Sequence, residues 1–245
     1  MSMEIRPTPL SLPRPASAAL RPDCADEDEP VDSAQVPREP PPSTGVDYLA
    51  PRGATPAEQF EHYRQVIESH GGAINPDGAT VLAIRGENPE GAIHRTVVCK
   101  GYADTMVVLN RSADGSPQVT TLPGSTYPSQ TSYAKRGVSI VQPGSFRAIP
   151  HRIYKNMPSY YVLNPGQGDG NLPSWRDLDM DGTFSAEERQ VPFTASAILF
   201  HSGNADGVSS AGCQNLSPAR MEQFIAAVGG PNASFLFTMV ETGGY

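Results

Sequence analysis

The chain reads as a mainly β domain of the α+β kind, carried on residues 53–245 behind a proline-rich, acidic leader. Three features point there. Between Thr80 and Ile149, short runs rich in Val, Ile, Leu and Thr recur at close intervals, which suits strands joined by tight turns. Only two stretches place apolar residues at helical spacing, one near each end of that region. The prolines crowd the front, where eleven of 25 lie between Pro7 and Pro51.

Taken in order, residues 1–52 are expected to be a disordered tail. Pro40-Pro41-Pro42 and the acidic run Asp26-Glu27-Asp28-Glu29 cannot bury enough apolar surface to offset chain entropy. Folding starts near Thr55: Thr55-Pro56-Ala57-Glu58 has the form of a capping box with Pro at the first helical position. Phe60, Tyr63, Val66 and Ile67 supply one apolar face, and Gly71-Gly72 stops the helix. Strands follow at Thr80–Ile84, Thr96–Lys100, Thr105–Asn110, Gln118–Leu122, Val138–Val141 and Ser145–Ile149, with Ala113-Asp114-Gly115-Ser116 as a hairpin turn. Gly124–Gln130 reads as a loop. Residues 150–195, rich in Gly, Pro and polar side chains, read as a long insertion of the kind that is usually functional. Ser217-Pro218 then opens a second helix with the stripe Met221, Phe224, Ile225 and Val228, ended by Gly229-Gly230, and Ser234–Val240 is a last strand.

Net charge is −8, but residues 1–50 hold nine acidic and four basic side chains, so the tail carries five of those negative charges. The remainder is mildly acidic and has no basic stripe of the sort nucleic acid or an anionic membrane demands. No apolar run reaches the length of a membrane span. Met1–Leu20 lacks a contiguous apolar segment, so no standard signal peptide is seen. The leader is equally compatible with non-classical export, in which the tail meets a secretion machinery or chaperone, and with a plain linker.

Three cysteines make no disulfide framework. Cys24 lies in the tail and Cys99 alternates within a strand. Cys213 differs, because its neighbours are Gly and Ser. The stretch Ile198–Leu216 delivers His201 on a short apolar run, passes through a Gly- and Ser-rich loop, and closes on Gly212-Cys213. A thiol in a tight turn with an imidazole at a strand end is what a cysteine nucleophile and its base require. A free thiol titrates at about 8.5, and a paired imidazolium lowers that value; a helix starting just after Cys213 is expected to add its dipole. Amides of the turn Ser210-Ala211-Gly212-Cys213 are candidates for an oxyanion hole. The bland alternative is a hydrogen-bonded strand histidine and an inert thiol. His151 competes as base, while His62 and His70 fall on a helix face and its end.

A second constellation is Asp177-Leu178-Asp179-Met180-Asp181-Gly182-Thr183-Phe184-Ser185-Ala186-Glu187-Glu188, which fits the calcium-loop pattern D-x-[DN]-x-[DN]-G-x5-E in full. The expected ligands are the carboxylates of Asp177, Asp179 and Asp181, the main-chain carbonyl of Thr183, Ser185 directly or through water, and bidentate Glu188. Gathered carboxylates repel one another without a divalent cation. Pro173 and Pro192 leave little room for flanking helices, so the expectation is a lone structural Ca2+ site, suited to an extracellular or periplasmic setting.

His201-Ser202-Gly203, followed by Ser210-Ala211-Gly212-Cys213-Gln214-Asn215, resembles the signature of L,D-transpeptidase (YkuD-type) catalytic domains. The hairpin Thr105–Leu122 and the element Gln142-Pro143-Gly144-Ser145-Phe146-Arg147-Ala148-Ile149 are similar to that family's strand pair and proline–glycine element, so the likeness spans roughly residues 95–242. The resemblance implies a β-sandwich-like catalytic domain that attacks an L,D peptide bond of a peptidoglycan stem peptide. Cys213 would be the acylating nucleophile, His201 its base, oriented partly by Ser202, with amides near Gly212 stabilising the oxyanion. Ser210, Ala211 and Asn215 would line the substrate side. The acyl group passes to an amine or to water, in a secreted, periplasmic or cell-wall-acting protein. The family's histidine two residues before the cysteine is Ala211 here, and the proline–glycine element is one residue short. These departures point to a divergent member, a hydrolase or a secreted cell-wall-targeting effector. The competing expectation is a catalytically silent, calcium-stabilised module that holds a glycan or peptide in the same groove. A weaker one is an interaction protein recognised through its proline-rich tail.

Overall fold

The computed structural model describes residues 48–94, 101–129, 138–182 and 184–242. The expected strand at Thr96–Lys100, most of the tail with Cys24, and Thr183 lie outside the described residues.

Among them, helix α1 (Pro56–Ser69) begins as the sequence dictates. Thr55 is the N-cap, its hydroxyl accepting from the Glu58 amide while the Glu58 carboxylate takes the Thr55 N–H. The buried stripe Phe60, Tyr63, Val66 and Ile67 lies on Leu82, Ile84, Val107, Leu109 and Val240 of the sheet. Burying each such side chain contributes about 1.5–3 kcal/mol.

The strands are β1 (Thr80–Arg85), β2 (Asp104–Arg111), β3 (Pro117–Gly124), β4 (Ser139–Val141), β5 (Gly144–Pro150), β6 (Tyr160–Leu163), β7 (Leu172–Arg176), β8 (Phe193–Ala195), β9 (Leu199–Ser202), β10 (Gln214–Leu216) and β11 (Phe235–Glu241). Helix α2 is Pro218–Ala227. The molecule is mainly β, as expected. Eight strands form one sheet in the order β10-β9-β6-β5-β11-β1-β2-β3, and β4-β7-β8 form a smaller one. The large sheet nearly closes on itself. Ser125, just past β3, exchanges two 2.8 Å hydrogen bonds with Asn215 of β10, so its two edge strands meet.

One end of the curled sheet is filled by α2, whose Met221, Phe224 and Val228 join the enclosed core. The rings of Phe200 and Phe224 stack at 5.2 Å, and Phe235 and Phe237 meet Phe200 edge-on at 5.3 and 4.8 Å. The small sheet contributes Val141, Leu172 and Ala195 to the same core. Residues 150–195, expected as an insertion, instead carry three strands. One of them, β6, lies inside the large sheet between β5 and β9. Short strands flanked by Gly and Pro gave too little alternation to be recognised.

Arg85 is fully buried at the C-terminal end of β1. Its Nε–H donates to Thr126 Oγ1 and one Nη to the Val141 carbonyl, both at 2.8 Å. Thr126 Oγ1 in turn donates to Asp104, which also faces His94 Nε2 at 3.0 Å. This chain of groups compensates a guanidinium far from water.

Candidate active site and acidic loop

β9 and β10 run parallel, with Gln214 opposite Phe200, Asn215 opposite His201 and Leu216 opposite Ser202. Partners on neighbouring strands project to one side. Phe200 and Leu216 enter the enclosed core, so His201 and Asn215 share the other face. Cys213 stands two residues before Asn215. It lies just outside β10, in the turn that leads into that strand.

The turn that presents Cys213 is tied down residue by residue. Ser210 Oγ donates to the Cys213 carbonyl at 3.0 Å and accepts from the Gly212 amide at 2.9 Å. The Ser210 carbonyl takes both the amide and the hydroxyl of Ser129. The Ala211 carbonyl accepts from the Ser139 amide of β4. Gly212 has φ 147°, and a Cβ there would come within 2.4 Å of the Ser139 carbonyl oxygen. Glycine is therefore required for the close approach. Cys213 itself is half-buried, with Sγ 3.8 Å from the Ala197 carbonyl.

His201 is 2% exposed. Its Nδ1 lies 2.8 Å from the Ser202 carbonyl oxygen. A carbonyl can only accept, so Nδ1 carries the proton and Nε2 presents a lone pair. Ser202 thus orients the ring through its main chain, while its hydroxyl donates to the Gly203 carbonyl. Asn215 Oδ1 accepts from the Ser209 amide at 2.9 Å, which turns its Nδ2 towards His201. That nitrogen sits 3.1 Å from both ring nitrogens and 3.2 Å from the His201 carbonyl oxygen. A position in the ring plane equidistant from both would collide with Cε1. The amide therefore lies over the ring face, out of line with the Nε2 lone pair. Burial drives the His201 pKa down to about 4, the Ser202 carbonyl opposing and the Lys155 charge adding to the fall. The ring is neutral at pH 7, as a base should be.

Two groups at this corner escaped the sequence reading. Tyr154 meets the His201 ring edge-on at 4.7 Å, and Lys155 Nζ donates to the Ser209 carbonyl at 3.1 Å. Both sit on a tight turn closed by paired hydrogen bonds between Tyr154 and Met157. They lie some fifty residues from the motif in a polar stretch without periodicity, and only the turn-forming Asn156 hinted at their geometry. One expectation needs correction. Cys213 leads into β10 and the helix begins only at Pro218, so a dipole that fades within the first turn does little for the thiol. His151 stacks on Tyr161 at 5.5 Å. The 220 Å³ cavity lined by Phe60, Asn75, Leu109 and Arg111 lies at the far end of the sheet, where β2 ends.

The acidic loop follows β7 directly and ends in a short 3-10 turn at Glu188–Gln190. Among the described residues, no EF-hand helices flank it. Ligand atoms of Asp177, Asp179 and Glu188 lie within 4.8 Å of one another, a set that can hold a metal ion. Asp177 is 1% exposed. Its two oxygens accept the Asp181 and Gly182 amides. Burial raises its pKa to about 6, the Gly182 amide opposing and the charges of Glu188 and Asp181 adding. Burial also pushes Glu188 upward, but the amides of Leu178 and Ser185 and the Ser185 hydroxyl outweigh it and hold that carboxyl below its usual range. The Asp181 carboxylate is not among the three that converge, and the Ser185 hydroxyl is engaged by Glu188. Gly182 (φ 86°) and Met180 (φ 60°) make the sharp bend. Phe184 anchors the loop, packing into a cluster of Tyr127, Val138 and Ile140 with Trp175 against it. Its burial was not foreseen.

No protein-family model, curated protein or solved structure matches the chain. Among the described residues, no helix is long and apolar enough to cross a membrane.

Proposed function

We propose that the chain is a cysteine acyltransferase or peptidase of the L,D-transpeptidase type, acting on L,D peptide bonds of peptidoglycan stem peptides. The observation that carries this is the parallel register of β9 and β10, with Asn215 paired to His201 and Cys213 two residues upstream. In this reading Nε2 of His201 takes the Cys213 proton and the sulfur attacks the scissile carbonyl carbon. Gly212's own N–H is engaged by Ser210, so an oxyanion would have to be met by another amide of the turn. As the C–N bond breaks, the imidazolium returns its proton to the leaving amine. A second amine or water then releases the acyl group from sulfur. Of the three residues expected on the substrate side, only Ala211 is partly exposed to border it; Ser210 and Asn215 are buried and brace the turn and the His201 ring from within.

Asp177, Asp179 and Glu188 would hold the metal, which we read as Ca2+ because an all-carboxylate set favours hard cations. Asp181, Ser185 and the Thr183 carbonyl complete the predicted set. Bound there, the ion supplies structural neutralisation of charge, not chemistry on substrate. Such a protein would work in the periplasm, at the cell wall or after secretion, its tail meeting an export machinery or chaperone.

Incubation of the chain with defined tetrapeptide muropeptides, read by mass spectrometry, tests this. Loss of the terminal D-residue or its exchange, absent in Cys213→Ala, is the expected result. One observation favours a second reading: His201 is almost wholly covered, with Tyr154 against its ring. A silent peptide- or glycan-binding module would show binding of the same muropeptides without products.

A further inference from the structure

The Tyr154–Met157 turn is costly to build. Lys155 and Asn156 have φ 50° and 63°, the left-handed conformation that non-glycine residues rarely adopt. Two successive positive φ values make the tight turn that joins paired strands. Asn is at home in such a turn, but Lys is not, since its Cβ is crowded there. Something other than turn preference has to account for a lysine at this position.

What it reaches is informative. Nζ donates to the Ser209 carbonyl, the Ser209 amide donates to Asn215 Oδ1, and the Asn215 amide lies over the His201 ring. Tyr154, one residue earlier, touches that ring from the turn. The ammonium therefore stands in the corner where β9, the 209–213 turn and this hairpin meet. Tyr154 and Lys155 from the hairpin and His201 from β9 are the titratable groups that meet here, and the 209–213 turn ends on Cys213.

We propose that Lys155 is a positioning residue of the thiol site, a fixed cation that holds Cys213 towards the thiolate. The inference rests on the acyl-transfer reading above and deepens it. A cation near sulfur favours the charged thiolate and lowers the pH at which it forms. Consistently, partial burial lowers the Lys155 pKa while its interaction with Cys213 works to raise it. His201, neutral at pH 7, gains a charge only by taking the Cys213 proton, so the standing cation of the corner is Lys155. It takes no part in proton transfer itself.

The test is the pH profile of iodoacetamide alkylation in the full-length chain, mapped to the Cys213 peptide because the sequence also holds Cys24 and Cys99. Lys155→Asn removes the charge and suits the turn, Lys155→Arg keeps the charge, and His201→Ala serves as reference. Expected is a midpoint about one pH unit higher in Lys155→Asn, with alkylation near pH 7 about tenfold slower. Lys155→Arg should stay near the parent, and the melting temperature of both variants should be unchanged. A Lys155→Asn profile superimposed on the parent overturns the role of Lys155, even if Cys213 titrates low and responds to His201→Ala. A parent profile at the ordinary thiol value, indifferent to His201→Ala, overturns the acyl-transfer reading and the lysine's role with it.

Discussion

The thiol corner and the acidic loop are joined through β4, yet they are built on opposite plans. Asp177 N–H donates to the Val138 carbonyl, and the next residue, Ser139, donates to Ala211 and packs under Gly212. On one side of that strand, residues 177–182 and 184–188 hold the carboxylates of Asp177, Asp179 and Glu188 on the loop's own amides. On the other, side chains from residues 154–155, 201 and 213–215 are assembled by strand register. Their titrations run in opposite directions too. The metal-free acidic loop raises Asp177 to about 6, whereas the thiol corner lowers His201 to about 4. A contiguous loop can gather like charges in wait for a cation. A register-built site excludes water and keeps its base neutral.

Removing the reacting atoms should have the largest effect. Cys213→Ala is expected to abolish product formation, and His201→Gln to slow it by about 10²–10⁴-fold, with little change in melting temperature. If both variants kept full turnover, the thiol corner would be structural only.

The acidic loop should respond in stability instead. At a hundredfold excess over Kd, calcium stabilises a native-only site by about 3 kcal/mol, so calorimetry should show a melting rise of several degrees that EGTA reverses. Asp177→Asn should remove the calcium response and also cost some metal-free stability, since its amide nitrogen cannot accept from Asp181 or Gly182. Glu188→Gln should weaken both, since Glu188 also caps the amides of Leu178 and Ser185. No calcium-dependent heat in the parent chain would refute the metal assignment.

Gly212→Ala probes the join between the regions. Its new methyl meets the Ser139 carbonyl, so a loss of about 1–3 kcal/mol is expected from overpacking, together with slower Cys213 chemistry. An unchanged melting midpoint would mean that β4 does not brace the turn.

The subtlest contrast is in pH. His201, depressed from 6.5, contributes stability that is present above pH 6.5 and lost as pH falls towards 4. Asp177, raised from 3.8, works oppositely: the metal-free native state gains relative stability as pH falls from 6 towards 4. The two partly cancel in EGTA. With calcium bound, Asp177 stays ionised and the acid loss should steepen. Urea midpoints measured across pH 4–7 with and without calcium check this, and parallel curves would contradict it.

The same contrast explains what was legible. α1 was readable because its cap, first-turn proline and apolar face lie within fifteen residues, and the acidic loop because its ligands are consecutive. β1 and β2 announced themselves by dense Val, Ile and Leu, β3 by the hairpin turn before it, and β11 by its run of Phe, Leu, Met and Val. β6 to β8 did not, since each is short and flanked by Gly or Pro, and their pairing is set by distant partners. His201, Cys213 and Asn215 could be proposed from a local pattern, but Tyr154 and Lys155 could not, because only the folded sheet carries their turn to His201. Arg85 was hidden for a related reason. At the end of Thr-Val-Leu-Ala-Ile-Arg it looks like a solvated strand end, and only Thr126, Val141 and Tyr127, brought from elsewhere, make it a buried one.

A catalytic role for the thiol corner requires that Cys213 and His201 share a proton. Ultraviolet titration of the thiolate in a Cys24→Ser, Cys99→Ser chain, with and without His201→Ala, tests it most directly. The account predicts a single midpoint well below the free-thiol value of about 8.5 that changes when the imidazole is removed. A midpoint near that value, identical in both proteins, would contradict it.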